Sequence, residues 1–327
     1  RENKIIIVII ALFFFLVFLA IFWWFFSQRP SPITPEPEPE EFAEDELDFS
    51  RPSLAVIDFD LSIPWEIAFL PDGGKLITER VGKLRYIDSD GEMSEIYLPE
   101  VSHLGEGGLL GLALHPDFAD NQYLYLYQTE SIDTPLNGVF RYRFNQGQLE
   151  EKTEIVGNIP GARFHNGGRI AFGPDNYLYI TTGDALIPEL AQDLDSLAGK
   201  ILRVTDIGEV PDDNPWVDSP IYSLGHRNPQ GLTWDSEGRL WASEHGPTGF
   251  DEINLIVAGG NYGWPRYKGT VINDAGVSLA TGESLEPVLT SGANPDDTWA
   301  PSGLAYHDNS LWFGGLRGQS LYQVILD

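Results

Sequence analysis

Cysteine is absent from the 327 residues, so the chain can form neither a disulfide framework nor a thiolate metal site. That absence fits an oxidising exterior without requiring one. Positive charge is scarce: 20 Lys and Arg stand against 49 Asp and Glu, for a formal net charge of −29. Such a balance repels the phosphates of nucleic acid and argues against any role there. Helical periodicity is scarce too. What the chain has instead is Gly, Pro, Trp and Tyr in quantity, 34, 23, 9 and 13 of them, which favours an all-β class. The length allows one large β domain or two ordinary ones.

Residues 5–26, IIIVIIALFFFLVFLAIFWWFF, carry no charge. A run of that length spans a bilayer, and Trp23 and Trp24 near its end suit the interface. A cleavable signal peptide is the alternative; its apolar region is shorter and ends at a small-residue cleavage site, which this stretch lacks. Residues 1–26 are therefore expected to form a transmembrane anchor. Arg1 and Lys4 precede the run and PEPEPEEFAEDELD follows it, which places the N-terminus in the cytoplasm and the remainder outside. Residues 27–52, rich in Pro and Glu, are expected to be a disordered tether. Much of the acid sits there, so the net charge need not describe the folded part.

From residue 54 onward a weak repeat emerges: an apolar triplet, a turn often containing Pro-Asp, then an alternating strand. It reads IAFLPDGGKLITER from Ile67, LALHPDFADNQYLYLYQT from Leu112 and IAFGPDNYLYITTGD from Ile170. It returns as LTWDSEGRLWASEHG from Leu232 and LAYHDNSLWFGGLRG from Leu304. Hairpins repeating with insertions mark a β-propeller of four-stranded blades; unrelated hairpins in a sandwich are the alternative. Residues 53–327 are taken as this domain.

The densest chemistry lies in residues 224–264, LGHRNPQGLTWDSEGRLWASEHGPTGFDEINLIVAGGNYGW. Alternation predicts two short strands joined by a turn at residues 236–238. Arg227-Asn228-Pro229 would end the loop before them and His245-Gly246-Pro247 begin the loop after, where binding groups collect. Read singly, each piece is turn punctuation and each His a satisfied polar residue.

Together, GHRNPQGLTW, SEHGPTGFDEINLI and NYGWP closely resemble the soluble pyrroloquinoline-quinone-dependent sugar dehydrogenases, the aldose and glucose/sorbosone dehydrogenase family. The likeness runs through most of the chain after about residue 54. It implies a six-bladed propeller; with five repeats visible and the sequence ending at Leu326-Asp327, a final blade is expected to be missing. It implies that Arg227 and Asn228 contact the quinone and that the carbonyls of Gly246 and Pro247 hold a Ca²⁺. Oxygen ligands on a proline-fixed turn suit that ion. Asp251-Glu252 and Asn261-Tyr262 resemble a second, structural Ca²⁺ site, with Glu252 giving carboxylate and Tyr262 a carbonyl; otherwise an Asp-Glu pair is solvated surface.

In RFHNGGR the resemblance makes His165 the base that takes the proton of the sugar's anomeric hydroxyl, a task a neutral imidazole suits. It makes Asp184, in TTGD, the acid that orients that ring. In LGEGGLL the family carries a glutamine that contacts the quinone, and this chain has Glu106. A carboxylate beside a tricarboxylate cofactor costs Coulomb energy unless protonated or shared with a cation. Arg317, in GGLRGQS, falls where the family places a basic residue near the quinone. Two arginines of an R-x-R-D segment have no counterpart here. Trp264 and Trp299 are expected either to wall the sugar or to pack between blades.

The implied function is a membrane-anchored, extracytoplasmic quinoprotein. It would oxidise an aldose at C1 to its lactone, with pyrroloquinoline quinone and Ca²⁺ as cofactors and an external electron acceptor. Two readings compete. A non-catalytic propeller binding module is favoured by Glu106 and the missing arginines and opposed by His165, Asp184, Arg227 and Asn228. A Ca²⁺-dependent propeller lactonase would need a cage of Glu, Asn and Asp side chains that the spacing does not reveal.

Overall fold

The computed structural model describes residues 60–131 and 133–326. The expected anchor at 1–26 and tether at 27–52 lie outside the described residues. Among the described residues no helix is long and apolar enough to cross a membrane.

Each of the five sequence repeats is the first hairpin of an antiparallel sheet. Blade 1 is Pro64–Phe69, Lys75–Glu79, Lys83–Ile87 and Met93–Tyr97, paired in that order. Blade 2 is Leu109–Leu114, Tyr123–Glu130, Leu136–Asn145 and Gln148–Pro160; blade 3 is Ile170–Phe172, Leu178–Thr182, Lys200–Val204 and Ile221–Leu224. Blade 4 is Pro229–Trp234, Leu240–Glu244, Glu252–Ile256 and Leu289–Thr290; blade 5 is Pro301–His307, Ser310–Gly315 and Ser320–Ile325. The turn expected at residues 236–238 joins the first two strands of blade 4. The sixth blade implied by the resemblance has no sheet among the described residues. The arrangement is an all-β propeller.

Why the second strands are apolar on both faces follows from the period of two. In blade 3, Leu178 and Ile180 face a core shared with Tyr125, Tyr127 and Val139 of blade 2. Tyr179 between them faces a core shared with Leu232, Leu240 and Ala242 of blade 4. In blade 4, Trp241 turns the other way, onto Leu304, Leu311 and Phe313 of blade 5. A further core joins Leu76 and Leu84 of blade 1 to Leu112 and Leu126 of blade 2. The core is thus a series of slabs between neighbouring blades, each fully buried Leu or Ile contributing about 1.5–3 kcal/mol.

The first strands line a central channel of ≈ 490 Å³, with Ile67, Leu112, Ile170, Leu232 and Leu304 each supplied by a different blade. In an antiparallel meander, the loop entering strand one and the loop joining strands two and three emerge at the same end. Those loops carry Glu106, His165, Asp184, Arg227, Asn228, Gly246, Pro247 and Arg317. All therefore lie at one mouth of the propeller.

Candidate active site at the propeller mouth

His165 and Asp184 meet across two loops of blade 3. His165 Nδ1 lies 2.7 Å from Asp184 Oδ1, with the Asp184 side chain 1% exposed and the imidazole 14%. A carboxylate only accepts, so Nδ1 carries the hydrogen, and in the neutral ring the lone pair then falls on Nε2. The approach depends on Gly183: a Cβ there would stand 2.0 Å from the His165 carbonyl oxygen, so only glycine lets the loops close this far. Asp184 also accepts from the Leu186 amide at 2.9 Å and from the indole Nε1 of Trp264 at 2.8 Å. Each oxygen of the carboxylate is held, and so is the imidazole it faces.

Glu106 does not project as a free acid. Its Oε2 accepts the His165 amide at 2.9 Å and lies 3.4 Å from Asn228 Nδ2. Asn228 is 1% exposed, and its Oδ1 accepts the Gly167 amide at 3.0 Å. Both ends of that amide thus brace the loop bearing His165. Arg80, on the matching loop of blade 1, sits in the field of Glu106, and burial holds its guanidinium below the usual arginine range. Arg80 is a partner the sequence reading missed, although it ends the first repeat.

Arg227 is set by a carboxylate that the sequence reading passed over, Glu244. Glu244 Oε1 accepts the Arg227 amide, and the Asn228 amide approaches it at 3.3 Å. Its Oε2 lies 2.9 Å from Nδ1 of His226, whose Nε2 is 2.8 Å from Ser223 Oγ. The His226 ring stacks on Tyr262 at 4.7 Å. This chain is buried, and it fixes the backbone from which Arg227 projects. The Arg227 guanidinium donates to the carbonyls of His245 and Gly246 at 3.1 and 2.9 Å and lies 5.5 Å over the Trp264 ring. Burial holds it below the usual arginine range, opposed by the charges of Asp184, Glu244, Glu106 and Asp251.

Four carboxylates around one guanidinium leave the mouth short of positive charge, which suits a divalent cation. Gly246, Pro247, Glu252 and Tyr262, expected at two separate sites, line one small void together with Glu244 and two cations, Arg227 and Lys268. Its volume, ≈ 10 Å³, is that of one water or ion. Glu252 faces Glu244 across the strand pair; burial and then Glu244 push its carboxyl up to about 8. Behind it, Asn254 Nδ2 donates to Glu252 Oε2 at 3.0 Å. Carboxylate and carbonyl oxygens are the donors a hard cation takes, so the lining of the void fits Ca²⁺. Among the described residues no three His, Cys, Asp or Glu side chains converge on a metal position.

An anionic quinone also finds a donor left over. Nε of Arg80 is buried with no hydrogen-bond partner among the described residues, in the field of Glu106. With the Arg227 guanidinium it fits a polycarboxylate held over the mouth. Asp251 secures the floor: Oδ1 accepts the Gly246 amide at 2.9 Å, while Oδ2 accepts Thr298 Oγ1 at 2.6 Å and the Trp299 and Ala300 amides. The sequence reading saw an Asp-Glu pair; the structure divides it between a loop clasp and a void.

Two expected residues stand apart. Arg317 is exposed on its turn, where its amide donates to the Trp299 carbonyl, and no described contact joins it to the dyad. Trp299 packs on Phe313 and Tyr322 at 5.5 and 5.9 Å, which is packing within blade 5. Trp264 is spent on Asp184 and Arg227.

Fold and site together define a propeller enzyme whose mouth pairs a buried His–carboxylate dyad with an arginine clamp and a cation-sized void. The glucose/sorbosone dehydrogenase family model matches residues 61–327, and the chain belongs to that family. It is 35% identical over 299 residues to quinoprotein glucose dehydrogenase B of Acinetobacter calcoaceticus, covering 79% of this chain and 62% of that protein. With the aldose sugar dehydrogenase YliI of Escherichia coli it shares 36% identity over 298 residues, covering 82% of this chain and 79% of that one. The PQQ-bound form of aldose sugar dehydrogenase from Streptomyces coelicolor superposes with a TM-score of 0.75 at 41% identity, covering 84% and 80%.

Proposed function

We propose that the protein oxidises an aldose at C1 to its lactone, using pyrroloquinoline quinone and an external electron acceptor. The observation that carries this reading is the His165–Asp184 dyad at 2.7 Å, set at the mouth beside the half-buried Arg227. The activities named for the relatives support it. Pyrroloquinoline quinone, when bound, supplies the hydride acceptor.

The protein's own part is proton transfer, position and charge. His165 Nε2 takes the proton of the C1 hydroxyl as that oxygen becomes a carbonyl and the C1 hydride departs. Asp184 steadies the imidazolium so formed and holds the tautomer that leaves Nε2 free. Glu106 and Asn228 keep the His165 loop in register with the loop of Arg227. Arg227, with Arg80, would hold the anionic cofactor; Gly246, Pro247, Glu252 and Tyr262 would hold Ca²⁺. Burial strengthens every such interaction relative to water. The apolar run at 5–26 supports a single-pass anchor with the propeller outside the cytoplasmic membrane.

The test is reconstitution of the full-length protein with pyrroloquinoline quinone and Ca²⁺, then a panel of aldoses with an artificial electron acceptor. Lactone formation from at least one aldose, dependent on both additions, is the expected result. Quinone binding with no turnover of any aldose would favour the binding-module reading instead.

A further inference from the structure

Trp264 joins the two halves of the mouth. It lies in residues 257–288, the excursion between the last two strands of blade 4, and is 9% exposed. Its indole Nε1 donates to Asp184 Oδ2 at 2.8 Å, a buried bond between residues 80 apart in sequence. Its ring face carries the Arg227 guanidinium at 5.5 Å. Its backbone is pinned on both sides, the amide donating to the Gly225 carbonyl at 2.9 Å and the carbonyl accepting Gln192 Nε2 at 2.7 Å. Gln192 in turn exchanges bonds with Asn261 at 2.9 and 2.8 Å. A bulky ring so fixed has little freedom of its own, and among the described residues the N–H it offers is the one side-chain donor that Asp184 receives from outside blade 3's own loops.

We infer that Trp264 is a positioning residue: its indole N–H assigns Oδ1 of Asp184 to His165, while its ring face seats Arg227, so base and clamp share one support. This rests on the proposed proton-accepting role of His165. The physical argument is one of competition. Oδ2, filled by the indole, cannot rotate toward the imidazole, so the ring is held in one orientation. The same donor draws charge from the carboxylate and moderates its pull on an imidazolium. Without the N–H, a buried oxygen loses its partner, the carboxylate is free to turn, and its charge falls more fully on His165.

The test removes the N–H and little else. Trp264→Phe keeps an aromatic face; site-specific replacement of the indole by its benzothiophene isostere keeps the full shape. In the full-length, quinone-loaded protein, either change should lower kcat about tenfold to a hundredfold, the scale of a small misplacement of a reacting group, with KM changed less than about twofold. The acidic limb of the rate profile should move to higher pH. Introduced on top of Asp184→Asn, the change should cost less than about twofold further, because both act through one carboxylate. A merely structural tryptophan would instead give losses that multiply.

A second arm needs neither quinone nor turnover. In the quinone-free protein followed by NMR, the His165 imidazole should titrate at higher pH in the benzothiophene variant than in the wild type. An unmoved titration, or multiplicative losses in the double variant, overturns the inference. Absence of turnover in the wild type would overturn the proposed function and leave the NMR arm to decide the role of Trp264.

Discussion

At the scale of single residues, the mouth is held by carboxylates that do no chemistry of their own. Glu244 is the clearest case, since it takes the amides of the Arg227 turn and one nitrogen of the buried His226. Glu244→Ala leaves those donors without partners, at about 1–3 kcal/mol for each buried group left unpaired. A loss on the order of 3 kcal/mol should lower the melting temperature by roughly 6–12 °C. Glu95→Ala, at a side chain 44% exposed, should move it by no more than about 0.5 kcal/mol of stability. Equal melting of the two variants would show that the His226–Glu244 chain is not what fixes the turn. The family resemblance pointed to His165, Asp184 and Arg227 because the motifs that carry it are contiguous. Glu244 was unreadable for a physical reason: its value lies in which amides it faces, and pairing across 16 or 17 residues leaves no local trace.

At the scale of elements, every sequence repeat proved to be the first hairpin of a blade, because the second strand of each is packed between neighbouring blades and must stay apolar. The outer strands were not legible. The last strand of blade 4 is two residues long and follows an excursion, and exposed edges tolerate almost any composition. The loop contacts were equally silent, except through glycine. Gly183→Ala should push the His165 loop away, since the added Cβ would meet the His165 carbonyl at 2.0 Å. At least a tenfold fall in kcat is expected. Gly314→Ala, where the nearest atom would be 3.5 Å away, should be neutral. Wild-type kcat in Gly183→Ala would contradict the claim that this approach sets the dyad.

At the scale of the whole molecule, excess negative charge is concentrated where a cation is proposed. Without metal, the Glu252 carboxyl is pushed up to about 8 from an ordinary 4.5. The folded state therefore holds a proton that the unfolded chain has released across that range. Stability from this group is present below about pH 4.5 and is lost as pH rises toward 8. In chelator, the melting temperature should fall over that interval; Ca²⁺ should restore it most strongly at the alkaline end, by mass action on the native state. Glu252→Gln should flatten the chelated profile. A chelated protein that melts alike at pH 5 and pH 8 and ignores Ca²⁺ would remove the void as a cation site. The proposed topology is open to a separate check: protease added to spheroplasts should release the propeller domain, and a fully protected domain would contradict it.

The central claim, that the mouth oxidises an aldose with His165 as proton acceptor, is tested most directly by rapid mixing of quinone-loaded protein with substrate. Wild type and His165→Ala are both loaded, and the spectrum of the bound quinone is followed through a single turnover. Both proteins should bind quinone alike, and reduction in His165→Ala should be slower by about 10²–10⁴, the span of a lost general base. Reduction of the quinone at the same rate in both would contradict the account.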